Sequence, residues 1–335
     1  MEPAVPAGGS TMTTREQLLE LLENSRGTYF SGEEIARILR VSRAAVWKAV
    51  KALRQEGYAI DAVTNKGYCL SPETDILSAQ GVGKYLKGEY RELEVQVLPT
   101  VPSTNALVRE RANQGCPEGL TVIANTQTAG RGRMGRSFFS PPETGLYLSL
   151  LLRPTRYEPR QAVRLTAVAA VAMCEAIEAV SGREAGIKWV NDVYVQGKKV
   201  CGILTEGSFD LESGGLDSMV LGAGVNVYPP GEGFPPELSA IAGTVFDSPR
   251  SDGKNRLAAE FLNRFLDCYY APGDVGYIEK YRDRSLVVGK PVTVLSGGTA
   301  RPALACGIDE ECRLLVRYET GATEALSYGE VSVRL

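Results

Sequence analysis

The chain has 335 residues, 44% hydrophobic and 23% charged, with a formal net charge of -3. That length fits two or three domains with ordinary globular cores, and the small negative charge excludes a protein that coats nucleic acid with its whole surface. The chain contains no histidine, which excludes Ser-His-Asp and Cys-His catalysis, argues against a zinc enzyme and leaves Lys, Arg, Asp, Glu and backbone groups for any chemistry.

The first 13 residues, MEPAVPAGGSTMT, lack a basic-then-apolar secretion pattern and read as a disordered lead-in. Residues 14–70 read as one DNA-binding unit. REQLLELLENS carries leucines at 18, 19, 21 and 22 and breaks at Arg26-Gly27. In SGEEIARILRVSRAAVWKAVKALRQEGY, Ser31 can cap a helix, with Glu34 at the capping-box position and Ile35, Ile38 and Leu39 as the apolar face. Val41-Ser42 makes a short turn, and Ser42 can cap a second helix with Val46, Ala49, Val50 and Leu53 facing inward. Tyr58–Leu70, turning at Asn65-Lys66-Gly67, reads as a two-stranded wing. From Ile35 through Gln55 there are six basic residues (Arg37, Arg40, Arg43, Lys48, Lys51 and Arg54) and no acidic ones. Such charge on one face suits DNA phosphates, with Arg43, Lys48 and Lys51 facing the major groove. The alternative is a solvated helix surface in a small bundle.

Residues 71–284 carry apolar runs at 93–98, 120–125, 145–152, 186–190, 193–195, 199–206 and 218–227, which read as strands. Thr104–Asn113, Gln161–Val180 and Arg256–Tyr270 read as helices. Strands adjoin strands more often than they alternate with helices, so the fold class is α+β with a mixed sheet. Residues 285–335 hold five short strands, KPVTVLS, ARPALACGI, LLVRYE, TEALSY and EVSVRL, which suits a small β-barrel. Seven scattered cysteines without a C-x-x-C pair fit a reduced, cytoplasmic chain. The longest apolar run, Leu165–Cys174, is ten residues and too short to cross a bilayer.

Residues 126–136, TQTAGRGRMGR, contain Gly130-x-Gly132-x-x-Gly135, the spacing of a dinucleotide-binding turn. That reading fails: Pro141-Pro142 forbids the helix that must follow, and no acidic residue lies between Tyr147 and Tyr157. A phosphate loop of the G-K-[ST] kind is absent as well. What remains is a glycine loop with Arg131, Arg133 and Arg136, able to wrap a ligand and grip phosphate or carboxylate, or else a solvated loop. Ser103-Thr104-Asn105 can read a polar ring or simply cap a helix. Lys188, ending a short apolar strand, must find an anion or reach water. The small residues at Gly222-Ala223-Gly224 suit close approach of a ligand or a backbone.

Taken together, STN, QTAGRGRMGR, IKWVND, KKVCGILTE and GAGVN, in this order behind a winged helix, resemble the biotin–protein ligases. The likeness is closest to the bifunctional group that also represses the biotin operon, and it runs from about residue 14 to the end. It implies a class II synthetase-like catalytic domain and an SH3-like C-terminal barrel. It also implies an enzyme that makes biotinyl-5′-AMP from biotin and ATP and passes biotin to a carrier-protein lysine. By position, Ser103, Thr104, Asn105, Gln127, Arg131, Gly132, Arg133, Lys188, Gly222 and Gly224 would meet biotin. Arg131, Arg133, Arg136, Lys188, Asn191 and Asn226 would meet ATP. Lys188, Arg131 and Arg133 would carry the catalytic charge. Mg²⁺ would ride on the ATP phosphates, with Asn191 nearby. Implied partners are the biotin carboxyl carrier protein of acetyl-CoA carboxylase, operator DNA, and a second copy of the chain when biotinyl-AMP is held.

The sequence departs from the family pattern at Val190 in place of proline, Met134 in place of a basic residue, and Phe138 in place of tryptophan. Two neighbouring readings stay open: a lipoate or octanoate ligase, which shares the catalytic fold, and a biotin-sensing repressor without ligase activity. A carboxylate nucleophile is already ionised at pH 7, so the first step needs no general base, in keeping with a chain that lacks histidine. The transfer step needs a neutral amine, and Asp192 is a candidate proton acceptor.

Overall fold

The structure, a computed structural model, describes residues 12–154, 162–209, 216–271, 276–296, 299–327 and 330–332. Most of the expected lead-in and the last residues of the final expected strand therefore lie outside the described residues.

The N-terminal unit runs α1 (Thr14–Glu23), α2 (Gly32–Leu39), α3 (Arg43–Gln55), β1 (Ile60–Val63) and β2 (Gly67–Leu70). The expected helix-turn-helix and wing are all present. Its core is built from Leu18, Leu19, Leu22, Ile35, Val46, Val50, Leu53 and Leu70. The capping box is at Thr13 rather than Ser31. Thr13 Oγ1 accepts from Glu16 N–H at 3.3 Å while Glu16 Oε2 accepts from Thr13 N–H at 2.8 Å. Ser31 makes only the forward half, accepting from Glu34 N–H at 3.1 Å. Ile38, expected inward, is 46% exposed. The eight-residue α2 ends in a left-handed cap at Arg40 and turns only Ile35 fully into the core.

The central unit is one seven-stranded sheet in the order β3-β4-β5-β9-β8-β7-β6. Its strands are β3 (Val95–Val101), β4 (Thr121–Gln127), β5 (Gly145–Leu152), β6 (Ala185–Lys188), β7 (Asp192–Val195), β8 (Lys198–Phe209) and β9 (Leu216–Asn226). Only β3 and β4 pair in parallel; the other neighbours are antiparallel. The helices are α4 (Ala79–Gly83), α5 (Thr104–Asn113), α6 (Ala162–Ser181), α7 (Pro236–Ser239), α8 (Gly253–Tyr270) and α9 (Gly276–Asp283). Helix α6 is apolar nearly all round and is packed among β6, β7, β8, α8 and α9, which is why it tolerates so few charges. Helix α5 closes a separate small core with Val108, Leu120, Val122, Leu151 and Val220.

The C-terminal strands β10 (Pro291–Ser296), β11 (Thr299–Ile308), β12 (Leu314–Tyr318), β13 (Thr323–Leu326) and β14 (Glu330–Ser332) form an antiparallel sheet in the order β13-β12-β11-β10-β14. Its buried face, with Val292, Val294, Ala305, Leu314 and Val316, joins the main core, so this unit is seated on the central one. Among the described residues no helix is long and apolar enough to cross a membrane.

Candidate functional site

The sheet pairing gathers motifs that are distant in sequence. Strand β9 lies between β5 and β8, so Gly222 faces Ser149 on one side and Leu204 on the other. Gly224 pairs with Gly202. The two glycines on β9 clear space above the sheet, and side chains fill part of it. A Cβ on Gly222 would stand 2.1 Å from Asn105 Oδ1, and one on Gly224 would stand 2.8 Å from Phe138 Cε1. The close approach expected at these glycines is therefore real, and the chain's own side chains make it.

Two adjoining cavities result. The smaller, about 30 Å³, is lined by Ser103, Thr104, Asn105, Gln127, Gly222 and Gly224 among others. Ser103 caps α5, accepting from Ala106 N–H at 3.4 Å, and still lines the cavity, so capping and exposure to a ligand coexist. Gln127 Oε1 accepts from Thr104 N–H at 2.9 Å and from Thr104 Oγ1 at 3.1 Å, and its amide donates to Ser140 Oγ at 3.1 Å. Ser149 Oγ lies 2.8 Å from Thr104 Oγ1 and 2.6 Å from Asn105 Oδ1. The result is a buried, neutral, hydrogen-bonding wall suited to a small polar ring.

The larger cavity, about 130 Å³, holds five cations: Arg131, Arg133, Arg136, Lys188 and Lys199. Asp192 is the one carboxylate lining it, paired with Lys199 Nζ at 2.7 Å. Lys188 ends β6 and, among the described residues, makes no ion pair. The turn that follows is clamped. Trp189 Nε1 donates to Cys312 O at 3.0 Å, Tyr281 Oη donates to Val190 O at 2.8 Å, and Asn191 Nδ2 donates to Ile203 O at 2.6 Å. Arg133 reaches over to donate to Asn191 Oδ1 at 3.1 Å. Five cations beside one lining carboxylate in one concavity focus a field on polyanions.

The glycine loop leaves β4 and re-enters at β5, closed by a bridge between Arg131 and Ser137. At its tip Met134 is 74% exposed with φ 55°, in the left-handed region that favours glycine. Arg131 and Phe138 line both cavities and so sit at their junction.

Two expectations, for Asn226 and Arg54, meet a different geometry. Asn226 lines neither cavity; its amide donates to Gly243 O at 3.1 Å and fastens the following loop to β9. Asn191 does line the cationic cavity, with its amide fixed by the bonds to Ile203 O and from Arg133. Arg54 is not on the DNA side of α3: its Nε donates to Ile60 O at 2.8 Å and ties the helix to the wing. Three side chains were missed by sequence reasoning. Lys199 could have been found from the doubled lysine before an apolar run. Ser149 and Glu206, which alternation alone makes ordinary strand residues, became visible only through pairing. Cys201, also in this strand, is fully buried and burial pushes its thiol up, so it is no nucleophile.

The exposed face of α3 carries Arg43, Ala44, Trp47, Lys48 and Lys51. Residues 43, 47 and 51 recur at four-residue intervals, so they share one helical stripe. Trp47 is 56% exposed, and Lys51 Nζ sits 5.4 Å from its ring centroid.

Residues 97–226 match the model of the biotin/lipoate A/B protein ligase family, residues 14–69 an HTH domain, and residues 287–334 the biotin protein ligase C-terminal domain. The chain is 34% identical over 320 residues to the bifunctional ligase/repressor BirA of Bacillus subtilis (strain 168), covering 94% of this chain and 97% of that one. The chain belongs to the biotin protein ligase family. Its winged helix places it with the bifunctional ligase/repressor members. The namesake in Escherichia coli (strain K12) is 31% identical over 324 residues, 95% of this chain and 96% of that one. Among solved structures, the biotin protein ligase from Aquifex aeolicus in complex with biotin and ATP superposes with a TM-score of 0.61 at 27% identity, over 71% of this chain and 97% of that one.

Proposed function

We propose that this chain joins biotin to ATP, releases pyrophosphate, and passes biotin from biotinyl-5′-AMP to a lysine of a biotin carboxyl carrier protein. It also binds operator DNA through α3 and represses biotin synthesis genes. The observation that carries the enzymatic reading is the junction of a neutral, hydrogen-bonding cavity with a cationic one, bridged by Arg131 and Phe138.

In this reading the polar cavity takes the biotin ring on Ser103, Thr104, Asn105 and Gln127, with Gly222 and Gly224 leaving it room. The carboxylate then points toward the cationic cavity, where it meets the α-phosphate of ATP. The carboxylate oxygen bonds to phosphorus as the bond to pyrophosphate breaks. Two anions must be brought together, and that repulsion adds to the barrier of breaking the phosphoanhydride bond. Lys188, Arg131, Arg133, Arg136 and Lys199 lower it by charge stabilisation. The mixed anhydride is water-sensitive, so the arginine loop serves also to cover it. In the second step the carrier's lysine amine attacks the acyl carbon and AMP leaves. Asp192 is the carboxylate available for the amine's proton.

No group of three acidic or sulfur ligands stands together among the described residues. The donor set therefore does not fit a resident metal site, and Mg²⁺ would enter as part of the Mg–ATP substrate. ATP chemistry and scattered cysteines without a C-x-x-C pair suit the cytoplasm. With biotinyl-AMP held, the chain is expected to pair with a second copy and so bind a two-fold operator.

The test is biotin-dependent exchange of labelled pyrophosphate into ATP, with lipoate and octanoate in parallel. Exchange with biotin alone supports the reading. Exchange with lipoate instead moves the chain to the sister ligases. Biotin binding without exchange makes it a sensor. Sedimentation with and without biotinyl-AMP tests the dimer.

A further inference from the structure

We infer that Glu206 is a positioning residue that fixes the direction of hydrogen bonding in the polar cavity and so sets biotin affinity. This rests on that cavity's receiving the biotin ring. Asn105 lines the cavity, and an asparagine amide can turn over, exchanging a donor for an acceptor. Glu206 removes that freedom. Its carboxylate only accepts, and it takes Asn105 Nδ2–H at 2.8 Å. Leu204 O, a second acceptor, lies 3.3 Å from the same nitrogen. Asn105 Oδ1 must then face the opposite way, where Ser149 Oγ stands at 2.6 Å.

The consequence propagates. Ser149 has one hydroxyl proton, and a carbonyl oxygen can only accept, so that proton goes to Asn105. Thr104, 2.8 Å from Ser149 Oγ, cannot receive it and must act as a donor itself, toward Ser149 or toward Gln127 Oε1 at 3.1 Å. Gln127 already accepts from Thr104 N–H, so its amide nitrogen is turned to Ser140 Oγ at 3.1 Å, and Ser140 donates to Phe138 O at 3.0 Å. One acceptor-only group thus orients Asn105, Ser149 and Thr104, while the backbone groups Thr104 N–H and Phe138 O hold Gln127 and Ser140 in the matching sense as far as the arginine loop. Arg109 Nη1 holds the other Glu206 oxygen at 3.2 Å from outside the cavity. A ureido ring needs donors and acceptors in a set order, so a wall of fixed direction binds it and a wall that can invert binds it less well.

The experiment is steady-state pyrophosphate exchange with wild type, Glu206→Gln and Arg109→Ala, each checked for an unchanged thermal midpoint. Glu206→Gln keeps shape but supplies both donor and acceptor, so only the longer contact to Leu204 O still opposes inversion of Asn105. The biotin KM is expected to rise about 10-fold, as when a charge-assisted hydrogen bond is lost. The ATP KM and kcat should stay within about twofold, since no group in the cationic cavity has changed. Arg109→Ala, which leaves the carboxylate in place, should move the biotin KM by less than about threefold, in the range of an exposed ion pair. An unchanged biotin KM in Glu206→Gln overturns the inference, and so does an equal rise in both KM values. If wild type shows no biotin-dependent exchange, the proposed reaction itself fails and this inference falls with it.

Discussion

Phe138 lies against Gly224: a Cβ added at that glycine would stand 2.8 Å from the ring's Cε1. The ring belongs to the arginine loop, the glycine to the central strand, and their contact joins the two cavities. Gly224→Ala should displace Phe138 and misalign both cavities, lowering pyrophosphate exchange at least about 10-fold while the fold survives. The check is kcat/KM for biotin beside a thermal melt. Wild-type turnover in the variant would show that the ring's seat is not part of the site.

Lys188 has no ion pair among the described residues and stands in a cavity with four other cations. Lys188→Ala should lower adenylate formation at least about 100-fold, the loss expected when a main transition-state charge contact goes. Near-normal turnover in a folded variant would refute the assignment. Arg131, on the junction of the cavities, has a different expected signature. Arg131→Ala should speed escape of biotinyl-AMP in a chase experiment, because a loop without it covers the anhydride poorly.

The winged helix is fastened to the catalytic unit by a buried charge cluster. Glu23, with a fully buried side chain, meets Arg26 at 2.8 Å and Lys84 at 2.7 Å, and both cations also reach Asp252, at 2.8 and 2.5 Å. Tyr85 and Asn255 complete it, donating to the Asp252 carboxylate at 2.7 and 2.8 Å. Glu23→Ala leaves two buried cations with one counter-charge and should cost about 3–5 kcal/mol. Denaturant unfolding measures it, and an unchanged midpoint would mean that water replaces the carboxylate.

On α3, Arg43→Ala should weaken DNA binding and flatten its salt dependence while leaving ligation intact. Gel shifts across a salt series, with exchange assayed on the same preparation, decide this. Loss of ligation would contradict separate duties for the two units.

The chain has two tryptophans, and they divide between the two sites. Trp47 is 56% exposed on α3, whereas Trp189 is 5% exposed beside Lys188. Acrylamide should quench Trp47 first, and bound duplex DNA should protect it. Loss of that protection in Trp47→Phe, with ligand-dependent emission retained, would assign the signals. Equal quenching in the presence and absence of bound DNA would remove Trp47 from the interface.

Much of this protein is determined locally, and that part is legible in the sequence. The leucines of α1, the caps at Ser31 and Ser42, the wing turn at Asn65–Gly67 and the span Thr104–Asn113 follow from periodicity, capping and turn chemistry, which act over a few residues. The arginine loop is legible for the same reason, since Pro141-Pro142 forbids a helix there. What the tertiary structure decided are relations across the sheet. Pairing of β9 with β5 and β8 brings Ser149 and Glu206 to Asn105, and no spacing rule connects residues 44 or 101 positions apart. Asn226 shares a motif with Gly222 and Gly224, yet it turns to Gly243, because the loop after β9 needs a hydrogen-bond partner. Arg54 carries the same charge as Lys51 but bonds the wing, since its place on α3 faces Ile60. Sequence names the residue types that the chemistry requires; the three-dimensional arrangement selects which of them are free to perform it.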